Sequence, residues 1–142
     1  MSLNWSHDIE MMHDKYHVND WVREQVKTEN KDNLRKFLEF RIKFLEEELN
    51  ETKKAVEEND FEEIVDGLID LCVVAIGTLD AFEVNANRAW NEVFDANMNK
   101  IPGRKESRPN PLGLPDLIKP EGWVGPDHSN NTGLLNYTKI DD

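Results

Sequence analysis

The chain has 142 residues, enough for one domain with a real core, yet only 38% are hydrophobic against 32% charged. That balance favours packing against further copies of the same chain. A net charge of -12 argues against a nucleic-acid polymer or an anionic membrane as partner, since both call for basic patches. It leaves a nucleotide open if divalent cations bridge the charges.

The first expected helix runs from about His7 to His17, with Ser6 as its cap and Ile9, Met12 and Tyr16 on one face. A second starts near Asp32 or Asn33 and continues to Glu58, ended by Asn59. Its apolar stripe, Leu34, Phe37, Leu38, Leu45, Leu49 and Val56, has Arg41 set within it. Asp60-Phe61-Glu62-Glu63 is a capping-box pattern that opens a third helix, running to about Glu83. After Leu68 this helix is apolar nearly all round, so it is central or lies in an oligomer interface. A fourth, around Asn87 to Asn99, aligns Trp90, Val93, Phe94 and Met98. No segment reads as a strand with turn signals.

All six prolines and five of the seven glycines follow Ile101. Residues 4–101 therefore read as a helical domain, and 102–142 as a Pro/Gly-rich extended arm or lid on its own or a neighbouring subunit. Leu112, Leu117, Trp123, Leu134 and Tyr137 make the arm too apolar for a disordered tail. The fold class is all-α, a helical hairpin or four-helix bundle with an irregular C-terminal arm. The single cysteine, Cys72, permits no internal disulfide and fits a reducing cytoplasm. The N-terminus lacks the positive-then-apolar pattern of a secretory leader. Asp66, Asp70 and Asp80 interrupt the longest apolar run, which therefore does not read as a membrane span.

Asp66 and Asp70 in that run are the chain's most informative feature. Apolar residues occupy almost every neighbouring position, so neither is expected to face water. Burying an unpaired carboxylate is costly, so such groups are paired, neutralised or bound to metal. Glu63, Asp66 and Asp70 share one side of the third helix, while Glu47, Glu48 and Glu51 lie at helical spacing on the second. If the two helices pack as a hairpin, the acidic sets face each other and repel unless cations lie between them. Mg²⁺ suits such oxygen ligands and brings phosphates with it; Zn²⁺ does not, for want of a His/Cys cluster. Asp70 could instead pair with Arg41, Lys43 or Arg88. The bland reading of Glu46 to Glu51 alone is a solvated face.

Leu45-Glu46-Glu47-Glu48-Leu49-Asn50-Glu51 resembles the L-x-E-E-x-x-E motif of the MazG-like all-α nucleoside triphosphate pyrophosphohydrolases. The segment from Asp70 to Thr78 resembles the end of their second motif, E-x-x-D, and Asn97-Met98-Asn99-Lys100 resembles their N-M-x-K element. The resemblance covers roughly residues 5 to 101. It extends to the phosphoribosyl-ATP-pyrophosphohydrolase-like variants often found in phage. Gly67 departs from the pattern by standing where the second motif has glutamate; either Asp66 replaces it, or Glu63-x-x-Asp66 is the literal match.

The resemblance implies hydrolysis of a nucleoside triphosphate to monophosphate and pyrophosphate. It implies Mg²⁺, with Mn²⁺ as a substitute, on Glu48, Glu51, Asp66 and Asp70, with Glu63 as an outer ligand. Glu47 or Glu48 would orient or deprotonate the attacking water. Asn97, Lys100 and, less strongly, Arg41 would bind substrate. A homodimer or homotetramer is implied as well. The rival readings are a phosphoribosyl-ATP pyrophosphohydrolase and a non-catalytic helical oligomer. Elsewhere, His13 and His17 read as a surface pair. Trp123 is the tryptophan best placed to reach a pocket. Gly103-Arg104-Lys105 with Arg108 reads as a basic but ordinary loop.

Overall fold

The structure is a computed structural model and describes residues 4–108 and 110–140. The helices are α1 (Trp5–Tyr16), α2 (Val18–Lys27), α3 (Lys31–Glu57), α4 (Phe61–Ala81) and α5 (Ala86–Met98). Two short strands follow, β1 (Ile101–Gly103) and β2 (Asp116–Ile118), then a 3-10 turn, Gly133–Thr138. The chain is all-α, as its sequence indicates. It forms two compact units, one built from residues up to Ala86 together with those from Thr132, the other from Asn87–Asn131.

Local capping explains the helix starts. Asp60 accepts a hydrogen bond from Glu63 N–H at 3.1 Å, so the capping-box reading holds on that side. Asn30 accepts from Asn33 N–H at 3.2 Å and begins α3 slightly earlier than the spacing suggests. Asn4, not Ser6, caps α1: its side chain accepts from His7 N–H at 3.2 Å and from the Ser6 hydroxyl at 2.9 Å.

The sequence reading passes over α2. Its signal is Val18, Val22 and Val26, four residues apart, with Val22 fully buried in the core. That core joins Val22, Leu34, Ala81, Phe82 and Val84. Trp21 packs on Phe37 at 5.2 Å between ring centroids, and Phe37 on Phe82 at 5.8 Å. Complete burial of Phe82, Leu34 and Val22 contributes about 1.5–3 kcal/mol each. The chain's end returns to this core. Leu134 N–H donates to Phe82 O at 2.6 Å, and Leu134 and Leu135 pack on the cluster. Gly133 makes that approach, since a Cβ there would lie 2.1 Å from Phe82 O.

Within the second unit, β1 and β2 pair antiparallel, Ile101 opposite Ile118 and Gly103 opposite Asp116. Strands this short carry no alternating pattern, so the sequence shows none. Asp116 holds the loop between them, accepting from Lys105 N–H at 3.1 Å and from the Arg108 guanidinium. The basic loop of the sequence reading thus closes a hairpin.

Candidate active site

α3 and α4 form an antiparallel hairpin whose register can be read from two layers. Near the turn, a Cβ on Gly67 would lie 2.2 Å from Thr52 Oγ1. Farther along, Arg41 Nε donates to Thr78 Oγ1 at 3.1 Å, and Arg41 Nη2 donates to Val74 O at 3.0 Å. Between these layers lie Glu48, one turn before Thr52, and Asp70, one turn after Gly67. Small residues at both layers draw the helices together. At Gly77, Arg41 Nη2 and His13 Nε2 stand 2.5 and 3.3 Å from where a Cβ would be.

Glu48, Glu51, Glu63, Asp66 and Asp70 form one electrostatic cluster. Burial, then Glu51, Asp70, Asp66 and Glu63, raise the Glu48 carboxyl above the ordinary range. Asp70 is raised by burial, by the charge of Asp66, by a hydrogen bond with the Asp66 carboxyl, and by Glu51. Glu63 is raised by burial and then by Asp66, Asp60, Glu51 and Asp70. None of the five makes an ion pair with lysine or arginine among the described residues. Like charges gathered in this way repel, so such a set calls for counter-charge.

Asp70 is half-buried, but Asp66 is exposed, a correction to the expectation that neither could face water. The stripe of α4 that includes Phe61, Val65, Leu68 and Ile69 is itself uncovered in this chain. Glu47 is exposed and does not act on the raised carboxyls. Arg41 is held by α4, and burial pulls its pKa down; Asp70 has neither Arg41 nor Lys43 as partner. Asn97 and Lys100 belong to the second unit, at the end of α5, where Lys100 N–H donates to Asn97 O at 3.1 Å. His13 is no surface residue: its Nδ1 lies 2.7 Å from Asp80 Oδ2, in a buried contact of α1 with α4. His17 is exposed. Thr52 is the packing residue that the sequence reading missed; its only signal is a small polar residue in the stripe of α3.

Among the described residues, no three His, Cys, Asp or Glu side chains close into a cage that would hold a metal alone. The donors are carboxylate oxygens without cationic partners. That chemistry fits a hard divalent ion which keeps waters and takes substrate oxygens, as Mg²⁺ does.

An antiparallel helical hairpin with acidic residues on both helices is consistent with the MazG-like all-α pyrophosphohydrolases, the superfamily to which the family match assigns the chain. The family model described as phosphoribosyl-ATP pyrophosphohydrolase matches residues 16–97, more than half of the chain, and the chain belongs to that family. It is accordingly an enzyme acting on acid anhydrides, a divalent-metal-dependent nucleotide pyrophosphohydrolase. No curated protein matches the chain. No helix among the described residues is long and apolar enough to cross a membrane.

Proposed function

We propose that the enzyme is a Mg²⁺-dependent nucleoside triphosphate pyrophosphohydrolase, turning (d)NTP and water into (d)NMP and pyrophosphate. The observation that carries this reading is the cluster on α3 and α4, with three raised carboxyls and no cationic partner. Glu48, Glu51, Asp66 and Asp70 would hold the metal, with Glu63 outside them. When bound, Mg²⁺, or Mn²⁺ in its place, offsets phosphate charge and makes water more acidic. Glu47 is the candidate for orienting or deprotonating the attacking water, with Glu48 an equal rival. Water oxygen joins the α-phosphorus, its proton passes to the base, and the α–β bridging oxygen leaves with pyrophosphate. Asn97 and Lys100 are assigned to phosphate on their motif alone. Arg41, engaged by Val74 O and Thr78 Oγ1, is better suited to steadying the hairpin than to touching substrate.

Phosphoribosyl-ATP is the second substrate reading, and the family match favours it. The test is pyrophosphate release from a panel of NTPs, dNTPs and phosphoribosyl-ATP with Mg²⁺. Release from at least one nucleoside triphosphate, abolished in a folded Asp70→Asn variant, supports the proposal. Release from phosphoribosyl-ATP alone replaces it with the second reading. The assembly proposed is a cytoplasmic homodimer or homotetramer, supported by the uncovered Phe61 (71% exposed), Val65, Leu68 and Ile69 on α4.

A further inference from the structure

The second unit adds to the motif lysine, Lys100, a basic feature that the N-M-x-K element does not include. The Trp123 ring has Lys119 Nζ at 4.9 Å and Lys100 Nζ at 5.2 Å from its centroid. Its indole N–H donates to Ala96 O at 2.7 Å, which ties the ring to the last turns of α5. Trp123 N–H also donates to Pro120 O at 3.0 Å, and Gly122 takes φ 76°, so Lys119 and Trp123 flank one tight turn. Trp123 is half-buried and cannot swing away without losing the Ala96 bond.

Neither lysine makes an ion pair among the described residues. In a chain of net charge -12, carboxylates are abundant, yet these two ammoniums gather on one ring instead. An exposed cation–π contact gains only about 0.5–1 kcal/mol, so the ring neutralises neither charge; Lys119 is exposed and Lys100 half-buried. Both ammoniums lie within 5.2 Å of one ring centroid, so they stand no more than roughly 10 Å apart, a span that two such point charges can share through the oxygens of one diphosphate.

We propose that Lys100, Lys119 and Trp123 form a polyphosphate-binding site, in which Lys119 is a second phosphate-binding lysine and Trp123 positions both. Its ligand is a pyrophosphate-type group, either the free ion or the phosphate tail of a nucleotide; only that link to substrate rests on the function proposed above. Lys119 and Trp123 lie beyond the matched residues 16–97.

The test follows the four tryptophan indole N–H resonances of the full chain by ¹H–¹⁵N NMR, with Trp123 assigned through Trp123→Phe. Inorganic pyrophosphate is titrated in with a chelator present, so that carboxylate-bound metal plays no part. The Trp123 resonance should shift saturably, with binding about tenfold weaker in Lys119→Gln and retained in Lys119→Arg. ATP competing with pyrophosphate assigns the site to the nucleotide tail, whereas absence of competition assigns it to the free ion. A Trp123 resonance unmoved by pyrophosphate overturns the proposal, as does an equal response from wild type and a folded Lys119→Gln. Because the readout is binding without metal, failure of every nucleotide in the pyrophosphate-release assay leaves this test intact.

Discussion

If Asp70 is taken as the aspartate of the second acidic motif, Gly67 stands where that motif has glutamate, and the packing supplies a reason. A Cβ at that position would meet Thr52 Oγ1 at 2.2 Å, so a side chain there requires the Thr52 hydroxyl to move off its bond to Glu48 O. Gly67→Ala should cost about 1–3 kcal/mol through overpacking. Adding Thr52→Ala should recover part of it, because the Thr52 Cβ still lies 3.3 Å away. Urea unfolding midpoints check this, and a neutral Gly67→Ala would contradict the close approach. The carboxylates themselves are legible in the sequence, since acids in an apolar helix stand out. Thr52 is not, because its meaning depends on a contact between helices. The exposure of Asp66 is also beyond the sequence, because period alone does not say which apolar stripe the chain covers.

The elements are legible where their ends use ordinary caps, and obscured where they do not. His17, Glu29, Asn59 and Glu83 take left-handed φ of 56–59°, one at each junction between successive helices. Glycine usually fills such positions. Here the two glycines of the helical region, Gly67 and Gly77, lie inside α4 as contact points, so glycine marks packing and not punctuation. The first helix is nonetheless expected to end at His17, as it does; what the missing glycine obscures is that a second helix starts immediately after it. The β1–β2 hairpin depends instead on Asp116, whose pKa is lowered by the Lys105 N–H and then by Arg108. A carboxyl lower in the folded than in the unfolded state stabilises fully above its unfolded pKa. That contribution is lost as pH falls through the folded value. Asp116→Asn should loosen the hairpin at neutral pH and make its opening insensitive to acid. Amide exchange at Lys105 and Ile118 reads this out; unchanged protection would contradict the role of Asp116.

At the scale of the molecule, low apolar content and an acidic surface fit a helical enzyme that is completed by association and by cations. The fold class and acidic hairpin are legible from composition and helical spacing; the division into two units, with the C-terminal residues returning to Phe82, is not, because it depends on contacts distant in sequence. Light scattering should give the mass of a dimer or tetramer, reduced by Phe61→Asp with Leu68→Asp; a monomeric wild type would contradict the proposed assembly. The acidic cluster also fixes a sign. Glu48 and Asp70 titrate higher folded than unfolded, so their effect on stability is unfavourable. It grows as pH rises through the unfolded carboxylate range and is full above the folded values. A cation bound by the charged forms should reverse it. The most direct measurement is therefore the thermal midpoint across pH, with and without Mg²⁺, in wild type and Asp70→Asn. The midpoint should show a Mg²⁺-dependent rise that is absent in acid, appears as pH climbs past the carboxylate range, and is much smaller in Asp70→Asn. A midpoint indifferent to Mg²⁺ and Mn²⁺ at every pH, or an equal rise in both proteins, would contradict a divalent-cation site at these carboxylates.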